Sequence, residues 1–394
     1  MRAYFPCMLN SPWRSALLAM TLVPRLLIAA QAHAQSLSPS SLGITANNGA
    51  VPFLLENGLL YLAGSLGGSP QLSFVVDTAA TVSSLDPKVA HAAGYSAGST
   101  VPMLVATRIF PQQSFSLAST DYISALSGHP TAGVLGQPQF VRYSLALDFD
   151  RRQAALLSPE ICPSSATRLP VFSAGGLPFV EGTVTLANGG SAAGLFLLDT
   201  GQPGAGIVLA SGFVAAHPEL IAGPRLEQPA IGNASAATLV RLKEVHLGPF
   251  ILHAPIAEIG PRESTAGNPR LAGVLGLEAL SRFNFVLNQR YASLYLEPNQ
   301  RVHEPFEADM SGILLSASAN GRLVVAAVAP GSPAAEARVQ ARDVLVRMEG
   351  KALAAANLGS VTAALRSTPG ATVHLDLERN GKPLRAALQL KRML

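Results

Sequence analysis

Short apolar runs, broken by Gly, Asn, Ser and Pro, recur along most of this chain. Runs of that length rich in β-branched and aromatic residues predict strands, and the breakers between them predict turns. One run, Phe74-Val75-Val76, leads straight into Asp77 and Thr78 within the segment FVVDTAATVSSL. A carboxylate after three apolar residues is either a turn residue at a strand end or a charge held in place for chemistry.

The pattern then repeats. Leu195 to Gly201 reads LFLLDTG, so apolar residues again feed Asp-Thr, and Asp77 and Asp199 lie 122 residues apart. Ala132-Gly133-Val134-Leu135-Gly136 returns as Ala272-Gly273-Val274-Leu275-Gly276. From there the halves align without gaps at an offset of 140, with Arg142 on Arg282, Leu147 on Leu287 and Leu156 on Leu296. Upstream, VPFLLENG and PVFSAGGLPF open the two halves and lead through the turn signals SLGGSP and ANGGSAAG into the Asp strands. The spacing predicts two homologous β lobes, at about residues 45–162 and 165–305. Lobes related by a pseudo-two-fold axis would bring the two aspartates together. Carboxylates about 3 Å apart cannot both ionise, so they share a proton. One can then act as general base on a water while the other donates a hydrogen bond to a carbonyl oxygen.

The pattern changes after Pro298-Asn299-Gln300-Arg301. Apolar runs at Ser311–Leu315, Leu323–Val328 and Asp343–Met348 predict strands, Leu358 to Ser367 reads as a helix, and two final strands flank Asn380-Gly381, a strong hairpin signal. Residues 309–394 therefore form a small α+β unit, and the chain as a whole is mainly β.

Composition supports this picture: 48% of the 394 residues are hydrophobic, 13% are charged, and there are 35 Gly and 29 Pro. The formal charge of +4 owes three units to Arg2, Arg14 and Arg25, in a stretch of 34 residues that holds no acid. Without that stretch the chain is nearly neutral, and no basic stripe points to nucleic acid. The same 34 residues read as an export signal, with a positive start, an apolar stretch from Ala16 to Ala30 and the small-x-small site Ala32-His33-Ala34. The expected location is the periplasm or the exterior. Pro24 and Arg25 interrupt the apolar stretch, so no permanent membrane span is expected. Cys7 would leave with the signal, so the exported chain is expected to have Cys162 alone and no intrachain disulfide. The remaining histidines (His91, His129, His217, His246, His253, His303 and His374) make no metal-binding spacing. With no Gly-x-Ser-x-Gly elbow and no phosphate loop either, neither a metal nor a cofactor is expected.

The two halves resemble the pepsin- and retropepsin-like aspartic peptidases, whose hallmark is apolar-apolar-Asp-Thr/Ser-Gly followed by an apolar-apolar-Gly element. Here these are Val75-Val76-Asp77-Thr78-Ala79 with Val134-Leu135-Gly136, and Leu197-Leu198-Asp199-Thr200-Gly201 with Val274-Leu275-Gly276. The resemblance implies an endopeptidase acting on peptide or protein through Asp77 and Asp199. It implies that Thr78 and Thr200 interlock between the lobes, and that Ala79, Gly201, Gly133, Gly136, Gly273 and Gly276 support the loops. It also implies flaps, with Gly232, Asn233, Ala234 and Ser235 as candidates in lobe two and Tyr95 in lobe one. The last unit resembles a PDZ domain of the bacterial protease type, most specifically in Pro330-Gly331-Ser332-Pro333-Ala334 and the later Asp343-Val344-Leu345. By that resemblance Ser311, Gly312, Ile313, Leu314 and Leu315 would receive a C-terminal peptide as an added strand.

Some positions depart from these families. Ala79 and Arg338 and Arg342 stand where glycine is usual, and Gln202 where a small residue is common. A left-handed backbone at Ala79 would be strained, and Ala79→Gly would then speed the enzyme without loss of stability. Two functions stay open: an active aspartic endopeptidase, or a weakened or inactive relative serving as a peptide-binding scaffold.

Overall fold

The computed structural model describes residues 42–230, 236–260 and 270–394. The expected leader, residues 1–34, and the flap candidates Gly232, Asn233, Ala234 and Ser235 lie outside them. Three sheets form among the described residues, and the mainly β architecture of two related lobes plus a small C-terminal unit is what the sequence predicts.

In lobe one, Leu72–Val76 pairs antiparallel with Leu59–Leu66 and parallel with Gly133–Leu135. In lobe two, Ser191–Leu198 pairs antiparallel with Leu177–Thr185 and parallel with Leu271–Leu275. The registers correspond residue for residue: Val76 lies opposite Leu135, and Leu198 opposite Leu275. A third strand crosses in each lobe, with Leu85 opposite Gly133 and Leu209 opposite Gly273. Each Asp strand thus lies between two neighbours inside a lobe. That is why its apolar run does not alternate with polar residues, and why Val76, Leu135, Leu198 and Leu275 are buried.

The lobes join through Ser144–Asp148 and Phe283–Asn288, which pair antiparallel. Leu145 faces Leu287, Ala146 faces Val286, and Leu147 faces Phe285. At the sequence offset of 140, Ala146 faces its own counterpart and Leu145 faces the counterpart of Leu147. A register of this kind is self-complementary, as a two-fold axis through the Ala146–Val286 pair requires. One hydrophobic core runs through both lobes.

The C-terminal unit has its own core, built on Leu323, Val325, Leu345, Leu375 and Leu388. Its strands run in the order Ile313–Ala317, Leu323–Val328, Val344–Met348, Thr372–Arg379, Lys382–Gln389. Helix Leu358–Leu365 buries Leu358, Val361 and Leu365, one stripe at helical spacing. Asn380 and Gly381 both have positive φ, 51° and 77°, as a two-residue hairpin turn requires. The ends of the unit belong to the other core: Phe306, Met393 and Leu394 pack on the lobes. Among the described residues no helix is long and apolar enough to cross a membrane.

Candidate active site

Both aspartates emerge at the ends of their strands, each tied to the Gly-Val-Leu-Gly strand beside it. The Asp77 amide donates to Leu135 O at 2.9 Å and the Asp199 amide to Leu275 O at 3.0 Å. The threonines that follow cross between the lobes. Thr78 Oγ1 donates to Leu198 O (2.6 Å) and accepts from the Thr200 amide (3.1 Å). Thr200 Oγ1 donates to Val76 O (2.7 Å) and accepts from the Thr78 amide (3.1 Å). Both hydroxyls are buried, and the four bonds obey the same two-fold symmetry as the sheet. They fix the relative position of the two loops without using either carboxylate.

The carboxylates are hydrogen-bonded to one another. Asp77 Oδ1 also accepts from the amides of Ala79 (2.8 Å) and Ala80 (2.9 Å), and Asp199 Oδ1 from that of Gly201 (2.8 Å). Burial, then the Asp77 charge, pushes Asp199 up to about 7. Burial also raises Asp77, against the pull of the two amides and of the bond from Asp199. Both carboxyls are thus pushed toward the protonated form, and as interacting neighbours they titrate as a unit.

The loop glycines are set by close approach. A Cβ on Gly201 would lie 2.4 Å from Asp77 Cγ and 2.6 Å from its Oδ2. On Gly133 it would lie 2.2 Å from Ser84 O, and on the equivalent Gly273 2.0 Å from Val208 O. Gly136 and Gly276 open the short helices Gln137–Phe140 and Leu277–Leu280. Ala79 is different. It does not lie in the left-handed region, and its amide binds Asp77. Of the two backbones left open for Ala79, the structure has the ordinary one, which accepts a methyl group. Gln202 folds onto its own loop, its Nε2 donating to Pro203 O (3.1 Å).

The sequence reading missed two supporting side chains. Gln137 Nε2 donates to Thr78 O, and its Oε1 accepts from Gln289 Nε2 at 2.7 Å. Gln137 is buried where the repeat has Leu277, and that polar-for-apolar exchange was the available signal. Ser83 Oγ accepts from the Gly136 amide (3.0 Å), where lobe two uses the carbonyl of Gly206.

Tyr95 is brought nowhere near the carboxylates. Its hydroxyl packs at Gly67, just beyond Leu59–Leu66. Tyr61 lies opposite Val75, so Asp77 is level with Leu59 and Gly67 sits at the opposite end of the strand pair, about 26 Å away at ~3.3 Å per residue. Tyr95 is therefore corrected from flap residue to packing residue. A cleft of about 720 Å³ borders Val82, Ser83, Phe110, Gln113, Pro138 and Arg142, and neither aspartate lines it.

In the C-terminal unit, Ser311 and Gly312 form a loop, and Ile313, Leu314 and Leu315 begin the strand that ends the sheet. Arg338 and Arg342 have φ of 62° and 75°, left-handed values that explain why glycine is usual at these places.

Residues 303–390 match the PDZ domain family. No curated protein matches the chain. Among solved structures the chain is similar to the aspartic proteinase from Irpex lacteus, at 14% identity and a TM-score of 0.41, covering 65% of this chain and 98% of that one.

Proposed function

We propose that the protein is an aspartic endopeptidase, exported from the cytoplasm, that hydrolyses peptide bonds with Asp77 and Asp199. One observation carries the reading: two carboxylates, hydrogen-bonded to each other, lie at a pseudo-two-fold axis between loops locked together by Thr78 and Thr200. Each step follows from the shared proton. Ionised Asp77 takes a proton from a water as its oxygen attacks the peptide carbonyl carbon. Asp199 gives its proton to the carbonyl oxygen, so no oxyanion builds up. In the collapse, the C–N bond breaks and Asp77 protonates the leaving nitrogen. Asp199 recovers its proton from the hydroxyl it had protonated, and the pair returns to its starting state.

The scaffold alternative drew support from Ala79, Arg338 and Arg342, and an unstrained Ala79 whose amide holds Asp77 withdraws the first of these. The test is hydrolysis of an unfolded protein by the purified chain. Cleavage that a statine-type mimic blocks and Asp199→Asn abolishes, with the fold retained, supports the reading. Cleavage unchanged in Asp199→Asn removes it.

A further inference from the structure

Among the described residues, strand Ile313–Ala317 is hydrogen-bonded along one side only, to Leu323–Val328, and it packs beside helix Leu358–Leu365. Between that strand and that helix a peptide would add as a further strand. In this chain the place is already taken. Helix Asp121–Ser127 of lobe one packs against Ile313–Ala317. Its C-cap, Gly128, abuts the other wall, where a Cβ would lie 2.4 Å from Ala355 O and 3.0 Å from Leu358 Cβ. The helix is fastened from behind, since Tyr61 donates its hydroxyl to Ser127 Oγ at 2.8 Å and Ile123 packs with Leu59 and Val75.

The carboxylate end of the groove is filled as well. Asp309 Oδ1 accepts from the Ser311 amide (2.9 Å), the Ser311 hydroxyl (2.8 Å) and the Gly312 amide (2.5 Å). The Ile313 amide is taken by Ser311 Oγ at 3.0 Å. Loop amides of the kind that would cradle a ligand's terminal carboxylate hold the chain's own side chains.

The docked unit also reaches the candidate active site. A Cβ on Gly359, in helix Leu358–Leu365, would lie 3.3 Å from the Asn57 amide nitrogen. Asn57 Nδ2 donates to Leu126 O at 2.6 Å, and the neighbouring Gly58 packs on Pro203 and Gly204, in the loop after Asp199. Arg241 of lobe two grips both ends of the unit, donating to Phe306 O (2.8 Å) and Leu394 O (3.5 Å).

We infer that the PDZ domain is an intramolecular brace: its peptide groove is occupied by helix Asp121–Ser127 and Asp309, and through the Asn57-Gly58 turn it steadies the loop that carries Asp199. The value of that loop to catalysis rests on the proposed peptidase function; the brace itself does not. The test is a wedge, Gly359→Trp, in the full chain. Glycine is a poor helix former, so the helix itself does not suffer from the change. Hydrogen exchange is then read segment by segment. Exchange at 57–60, 121–127 and 201–206 should become roughly tenfold or more faster, with Val344–Met348 and Thr372–Arg379 unchanged. Unchanged exchange at 201–206 overturns the coupling, whether or not the protein cleaves peptides. A wedge variant that unfolds leaves a second measurement, on the wild type. Fluorescein-labelled decapeptides with free, apolar C-termini should show no saturable binding up to about 1 mM. Saturable binding that is lost when the peptide terminus is amidated overturns the occupied groove.

Discussion

The two aspartate loops differ at the position after the Asp-Thr pair, Ala79 in lobe one and Gly201 in lobe two. At Gly201 a methyl group would overlap the Asp77 carboxyl, 2.4 Å from its Cγ. At Ala79 the methyl group is present, the backbone is ordinary, and the amide still reaches Asp77. The glycine of the motif is thus required by what faces it and not by its φ. The PDZ domain shows the opposite case. Arg338 and Arg342 replace usual glycines at positions where φ itself, 62° and 75°, is costly.

This contrast is broken most severely at Gly201. Gly201→Ala should displace the Asp77 carboxyl and lower kcat/KM by roughly 100-fold, the scale of a ~1 Å misplacement. A rate within a few-fold of wild type would show that the loops tolerate side chains alike. The threonine grip is the symmetric counterpart. Thr78→Val and Thr200→Val each remove a hydroxyl that bonds a buried carbonyl and a buried amide across the interface. Each should cost about 2–4 kcal/mol in denaturant unfolding, and the two costs should agree. Unequal losses would limit the symmetry to the backbone.

Smaller effects sharpen the comparison. Arg342→Gly should raise stability by about 1 kcal/mol, since relief of left-handed strain exceeds the added freedom of the unfolded chain. Ala79→Gly should do the reverse, losing about 0.4–1 kcal/mol with an unchanged rate. A faster Ala79→Gly enzyme would restore the view that Ala79 restrains the site.

The sequence made the Asp-Thr strands, the Gly-Val-Leu-Gly strands and their offset legible because each occurs twice, and repetition separates a constraint from an accident. Tyr95 was misjudged for the opposite reason. Its place depends on which end of Leu59–Leu66 it meets, and no local pattern records that. Asp309 escaped notice because a single acid before a Gly loop is ordinary until its oxygen is seen on two amides. The docking of the PDZ domain was equally invisible. Gly128 and Gly359 carry no motif in the sequence, and their meaning lies in the surfaces they meet.

The central claim is one proton shared by Asp77 and Asp199, and the pH profile of kcat/KM tests it most directly. With Asp199 raised to about 7, the folded pair keeps a proton that the unfolded chain releases near the ordinary carboxylate value. The stability this confers is full below that ordinary value and is lost as pH rises through about 7, with a slope no steeper than about 1.4 kcal/mol per pH unit. Catalysis should follow the same proton, holding across the mildly acid range and falling up to tenfold per pH unit above about 7. A rate that keeps rising from pH 6 to beyond about 8 would contradict the shared proton.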